Sequence, residues 1–321
     1  MLFSSCEKDS QVDDIIEMHG QVTPVGDVQE TGTTTIIGVS GGTIQSADGH
    51  LHLTIPAGAV TENTSFSVQH ISNTNIAGVG EAYRLLPHGT HFSAPITVSF
   101  AYDTADFEGT PISAVGIAFQ DDKGIWQGSG AIHDPIANTL SVSTTHFSDW
   151  SLFKSFAINP VSASVEPGKS LTLNVVNCMS DEDLIPPVPG VEKPIGPQHS
   201  ATTKYIKEWK LGDEGVLKAN GAEADYTAPA TMPSKNPVAV SVSLKGPGNG
   251  QYLLVSNIYI GGEGITFRID NGPWRRGTIP QGGVVEAAGF QNLDAVIEPL
   301  SAGDAYGALS LKWSGYPSGG I

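Results

Sequence analysis

The chain has 321 residues, a formal net charge of −17, only 15% charged residues, 38 glycines and 21 prolines. So acidic a surface repels phosphate backbones and anionic lipid, which argues against a nucleic-acid partner, and no apolar run reaches the length that crosses a bilayer. The length suits two or three domains, and turn-rich composition with few helical stretches predicts an all-β chain of many short strands.

At the N-terminus, Leu2-Phe3-Ser4-Ser5-Cys6 sets apolar and then small residues before a cysteine, and resembles a bacterial lipobox. The resemblance implies cleavage before Cys6, a diacylglycerol on its thiol, and a lipid anchor at a bacterial outer membrane or cell surface. Glu7-Lys8-Asp9 resembles the export tag of surface lipoproteins in the Bacteroidetes. A secretory peptide has a basic segment and a longer apolar one, whereas two apolar residues follow Met1 here, so an ordinary exposed cysteine is the other reading. One acyl group holds a membrane weakly and multiple chains hold it firmly. With Cys6 acylated, Cys178, the other of the two cysteines, has no disulfide partner. Residues 1–30 are then a lipobox remnant and a polar, flexible tether.

Strand signals begin near Thr33. Thr34 to Val39 is β-branched, and Leu51, Leu53 and Ile55 alternate with His50, His52 and Thr54, the period of a half-buried strand. Phe66–Ile71, Ile96–Phe100 and Ala114–Phe119 continue the pattern. Asp121-Asp122-Lys123-Gly124 is a hairpin turn before Trp126, and Thr139–Thr144 and Trp150–Phe153 follow. Residues 31–157 are predicted to form one antiparallel sandwich. Its segments Gly41-Gly42-Thr43-Ile44, Leu53-Thr54-Ile55-Pro56-Ala57-Gly58-Ala59-Val60, Phe92-Ser93-Ala94-Pro95-Ile96-Thr97-Val98 and Thr145-His146-Phe147-Ser148-Asp149-Trp150 resemble the ZU-five domain of zonula-occludens proteins and netrin receptors. That resemblance speaks for a fold and assigns no activity.

Residues 158–261 carry a strand, Pro-Gly turn and strand from Ala163 to Val175, then Trp209, Tyr226-Thr227-Ala228-Pro229-Ala230, and an alternating Val238–Ser243. They resemble the immunoglobulin-like repeats of bacterial surface proteins, which implies a second sandwich without the antibody disulfide. The insertion Ser180–His199, rich in proline and acidic residues, is predicted to be an extended exposed loop. Residues 262–321 supply strands at Ile265–Asp270 and Leu309–Trp313 and an Asn271-Gly272 turn, predicting a small or truncated β-unit. The expected architecture is thus tandem antiparallel β-sandwiches followed by that unit.

Chemistry could reside in few places. The tripeptide His146-Phe147-Ser148 is the same as marks self-cleaving sites in eukaryotic relatives of the ZU-five domain and in a nucleoporin. The resemblance gives His146 the role of base and Ser148 that of nucleophile, with the Phe147–Ser148 bond cut. The same tripeptide recurs at His91-Phe92-Ser93, so plain packing of a terminal strand is the competing account. Seven of nine histidines fall between His50 and His146, but the pairs His50/His52 and His88/His91 lack a third ligand at useful spacing, and no metal site is expected. Asp121-Asp122 and Asp181-Glu182-Asp183 fit no calcium loop and read as solvated turns. There is no signature for a cofactor or a conventional active site. Trp274 with Arg275 and Arg276 beside a turn offers a candidate ligand contact, since sugar-binding modules stack tryptophan on pyranose rings. The functional readings are a non-catalytic structural, adhesive or ligand-binding surface lipoprotein, a glycan-binding accessory protein, or a self-cleaving domain.

Overall fold

Alternation of apolar and polar side chains sets the architecture. In Leu51–Ile55 every second residue is buried and the two between are exposed, and the same rhythm returns in Val238–Lys245. The computed structural model describes residues 20–179, 189–231, 233–246 and 251–261, together with the backbone course of three strands between 263 and 298.

The first eleven strands are β1 (Thr33–Ile37), β2 (Gly42–Gln45), β3 (Leu51–Ile55), β4 (Thr64–Ile71), β5 (Gly78–Leu86), β6 (His91–Ala101), β7 (Val115–Gln120), β8 (Trp126–Gly130), β9 (Ile132–Asp134), β10 (Thr139–His146) and β11 (Asp149–Lys154). There follow β12 (Phe156–Asn159), β13 (Ser162–Val165), β14 (Ser170–Asn177), β15 (Lys193–Pro194), β16 (His199–Ser200), β17 (Ile206–Leu211), β18 (Val216–Asn220), β19 (Glu223–Thr227), β20 (Val238–Lys245) and β21 (Gln251–Ile260). The last described are β22 (Glu263–Ile269), β23 (Arg275–Ile279) and β24 (Leu293–Glu298).

A seven-stranded sheet ordered β1-β4-β5-β11-β7-β8-β15 packs on a five-stranded sheet ordered β2-β3-β6-β10-β9. Their inner faces meet in one apolar core that joins Phe66, Tyr83, Ile117 and Trp150 of one sheet to Leu53, Val98 and Leu140 of the other. In the second sandwich β12-β14-β19-β18, with β16 also on β14, faces β13-β21-β20-β17. Leu173, Val175 and Tyr226 there bury themselves against Val240, Val242, Leu254 and Ile258. The fold is therefore all-β sandwich, as the sequence implies, with the parallel pairing of β13 and β21 as a departure from the antiparallel rule. A three-stranded sheet, β23-β22-β24, follows.

Two expectations are corrected. Part of the insertion Ser180–His199 is not an exposed loop: β15 pairs with β8, and Ile195 is fully buried beside Trp126, Phe153, Cys178 and Met179. The physical reason is twofold. The edge of β8 offers unpaired backbone groups, and an isoleucine beside this apolar cluster gains by leaving water. The described end of the presumed tether is likewise laid on the first sandwich. Gln120 Nε2 donates to Thr23 Oγ1 at 2.9 Å and to Thr23 O at 3.1 Å, Arg84 Nη2 donates to Gly26 O at 3.0 Å, and Val28 bridges to Ile71. A polar composition suggested a free segment; its backbone groups find partners along the sheet instead.

The two sandwiches are joined without a linker, since β11 ends at Lys154 and β12 starts at Phe156. Cys178 N donates to Ser155 O, and Val255 N to Gly109 O at 3.1 Å. Asn257 Nδ2 donates to Glu108 Oε1 at 2.9 Å, so a residue of the second sandwich holds a loop of the first.

Candidate functional site

The two His-Phe-Ser tripeptides are brought together. His146 on β10 stands opposite His91 on β6, with ring centroids 6.4 Å apart. Phe147 and Phe92 meet edge to face at 4.9 Å, and Phe66 completes the set. Both phenylalanines are core residues. The Ser148 hydroxyl is buried and donates to the Gln120 carbonyl, which fixes the start of β11 against the end of β7. Packing thus accounts for each residue of the tripeptide, and the bond found for Ser148 runs to Gln120 rather than to the base.

His146 sits in an aromatic nest. Its ring lies 4.6 Å from that of Phe119 and stacks on Trp150 at 5.7 Å. Burial pushes its pKa below the usual imidazole range, although the Phe147 backbone and the Glu192 carboxylate favour the charged form.

Beside this nest the sandwich encloses a cavity of about 260 Å³. Phe119 of β7 and Trp150 of β11 form one wall, and Val142 and Thr144 of β10 form the other. The lip carries Ser129 and Glu192. It is held by a bridge between Gly130 and Pro189 and by the Gly190 N–H, which donates to Ser129 Oγ at 3.3 Å. Trp150 is 2% exposed, yet its Nε1 has no hydrogen-bond partner. Such an orphaned donor is costly in a folded protein.

The other predicted positions scatter. His50, His52, His88 and His91 are exposed, and among the described residues no three metal-ligating side chains gather. Asp121 closes its turn, accepting from the backbone of Lys123 and Ile125 and from Gln127 Nε2, each at 2.9 Å. Trp126 is buried core, and Trp209 donates to Gly221 O at 3.0 Å. Cys178 is a buried free thiol, pushed up to about 12 by burial. Cys6, Trp274 and Asp181-Glu182-Asp183 lie outside the described residues, as do the side chains of Arg275 and Arg276, whose backbone belongs to β23. The cavity went unread in the sequence because its walls combine neighbouring strands between Ile117 and Trp150 with Pro189–Glu192 of the insertion, about forty residues further on. The one local signal was a tryptophan in a strand that ends the first sandwich.

No family model and no curated protein matches the chain. Among solved structures it is similar to the N-terminal domain of the Streptococcus gordonii adhesin Sgo0707, at 8% identity over 75% of this chain and 93% of that one, with a TM-score of 0.15. That likeness is too slight to bear on fold or role.

Proposed function

We propose that this protein is a non-catalytic, lipid-anchored module of a bacterial cell surface that presents adhesive or ligand-binding β-sandwiches on a stiff stem. The junction between the sandwiches carries this reading. Absence of a linker, the Asn257–Glu108 bond and the burial of Ile195 and Cys178 against the first sheet all oppose hinge motion, as a packed apolar interface does in general. A stem of this kind suits projection from a surface. Anchored at Cys6, the chain would hold the first sandwich near the membrane, because the 13 residues between Cys6 and Gly20 span at most about 50 Å when fully extended. The hydrogen bond of Ser148 to Gln120 supports packing over self-cleavage for His146-Phe147-Ser148.

The test is protease shaving of intact bacteria that express the full chain with its native upstream sequence, beside a Cys6→Ala variant. The expected result is a protein of the membrane fraction that external protease degrades, and a variant released from that fraction. A wild-type protein that stays soluble, or is shielded from protease until cells are lysed, overturns the reading.

A further inference from the structure

We propose that Lys154 and Asn257 join in an isopeptide bond that welds the two sandwiches covalently, with Glu108 moving the proton and ammonia as the leaving group. The two reactive groups share one neighbour. Lys154 closes β11 of the first sandwich, and its Nζ donates to the Glu108 carbonyl oxygen at 3.4 Å. Asn257 lies on β21 of the second, and its Nδ2 donates to Glu108 Oε1 at 2.9 Å. Backbone bonds seat the loop that carries Glu108. Val255 N donates to Gly109 O at 3.1 Å, and Asn257 N donates to Val161 O at 3.0 Å. Gly109 has φ +74°, and a Cβ there would collide with Val161 and with the Val255 carbonyl, so this close approach requires glycine.

The pairing is the wrong one for a simple ion pair. Lys154 forms no salt bridge among the described residues. The Glu108 carboxylate turns to a neutral amide, while the amine bonds a backbone carbonyl. Burial pulls the Lys154 pKa below the usual amine range, although Glu108 and Asp106 favour the charged form. The neutral amine is a nucleophile, and the flexible lysine stem lets Nζ swing from the Glu108 carbonyl to Asn257 Cγ. As Nζ attacks Cγ, Glu108 takes the proton that the amine sheds and delivers it to Nδ2, the atom it already holds. The Cγ–Nδ2 bond breaks and ammonia departs. One C–N bond forms and one breaks, and no oxidant is consumed. Glu108 is exposed, which gives ammonia a path to water, and the N–H of the new amide can still donate to Glu108. Fixing the groups within one chain makes the encounter local. The bond goes beyond the proposed function and does not depend on Cys6: a chain that fails to cross-link leaves the anchor standing, and an unanchored chain should still cross-link.

The experiment is intact-mass spectrometry and tryptic mapping of the full chain during prolonged incubation at neutral pH, beside Lys154→Arg, Asn257→Ala and Glu108→Gln. The wild-type chain should become lighter than its sequence mass by one ammonia and yield a branched peptide that joins Lys154 to Asn257. Lys154→Arg and Asn257→Ala should keep their full mass. Glu108→Gln should gain the bond about a hundredfold more slowly, the lower end of what a positioned proton carrier contributes. The branched peptide is read on the wild type, so the test stands even where a variant does not fold. A wild-type chain that keeps its full sequence mass overturns the proposal. So does loss of ammonia without the branched peptide, which marks a succinimide, or loss of water with a link from Lys154 to Asp106. Cross-linking of Glu108→Gln at the wild-type rate also overturns it.

Discussion

Replacing Ile195 by alanine separates a docked segment from a solvated loop. Ile195 is fully buried among Trp126, Phe153, Cys178 and Met179. The substitution removes three carbons, about 2.4 kcal/mol of transfer free energy at roughly 0.8 kcal/mol per buried methylene, to which the unfilled cavity adds, giving about 3 kcal/mol within the usual range of such changes. The backbone bonds Ile195 N to Trp126 O at 2.8 Å and Gln21 N to Ile195 O at 3.0 Å survive the substitution, so the loss is one of packing. At about 2–4 °C per kcal/mol for a unit of this size, the transition that includes the first sandwich should fall by about 6–12 °C. Thermal unfolding measures that shift and urea titration the free-energy loss, both followed by tryptophan fluorescence with Trp126 in the same cluster as reporter. A change within about 0.5 kcal/mol, typical of an exposed site, would refute the docking of residues 193–195 and the clamp it gives the junction.

Arg84 holds the buried carboxylate of Asp149 through Nε at 2.8 Å and Nη2 at 2.7 Å. Arg84→Ala should cost about 3–5 kcal/mol in urea unfolding, since an uncompensated carboxylate remains inside, and Arg84→Lys should recover only part because the two-pronged contact is lost. Asp48 presents the acid limb. Burial by itself would raise its pKa, but hydrogen bonds from the Ser46 and Tyr83 hydroxyls and the His50 amide hold it below the usual carboxylate range. Its contribution is therefore fully present above about pH 3.9, the unfolded value, and is lost as pH falls through the lower folded pKa. Asp48→Asn should flatten that part of the stability profile, and an unchanged profile below pH 4 would contradict the assignment. Cys178, its thiol pushed up to about 12, should resist iodoacetamide at pH 8 in the native protein and react only on unfolding, as peptide mapping after timed alkylation would show.

How much of this the sequence revealed depends on how local each signal is. Leu51, Leu53 and Ile55 declare a half-buried strand by period alone, and all three are core. Strand β21 carries Leu254, Ser256, Ile258 and Ile260 inward, but Ser256 and Asn257 interrupt its apolar run and Leu253 faces out, so the pattern blurs although the strand is long. The segment around Ile195 looked loop-like because proline and charge set its composition, while its burial depends on an edge strand some seventy residues earlier in the chain. The cavity shows the same limit. Phe119 and Trp150 are opposed across β7 and β11, and Glu192 arrives from the insertion, a meeting that only the topology creates. The repeated His-Phe-Ser was visible as a repeat; that the two copies pair across β6 and β10 was not.

The central claim, an anchored and non-catalytic surface module, is tested most directly by the intact mass of the protein recovered under denaturing conditions from cells that express it with its native upstream sequence. The account predicts one species that begins at Cys6 and carries acyl mass, uncut between Phe147 and Ser148. A species that retains the residues before Cys6 without lipid would contradict the anchor, and a pair of masses that split at Phe147–Ser148 would contradict the non-catalytic reading and return His146 and Ser148 to the roles of base and nucleophile.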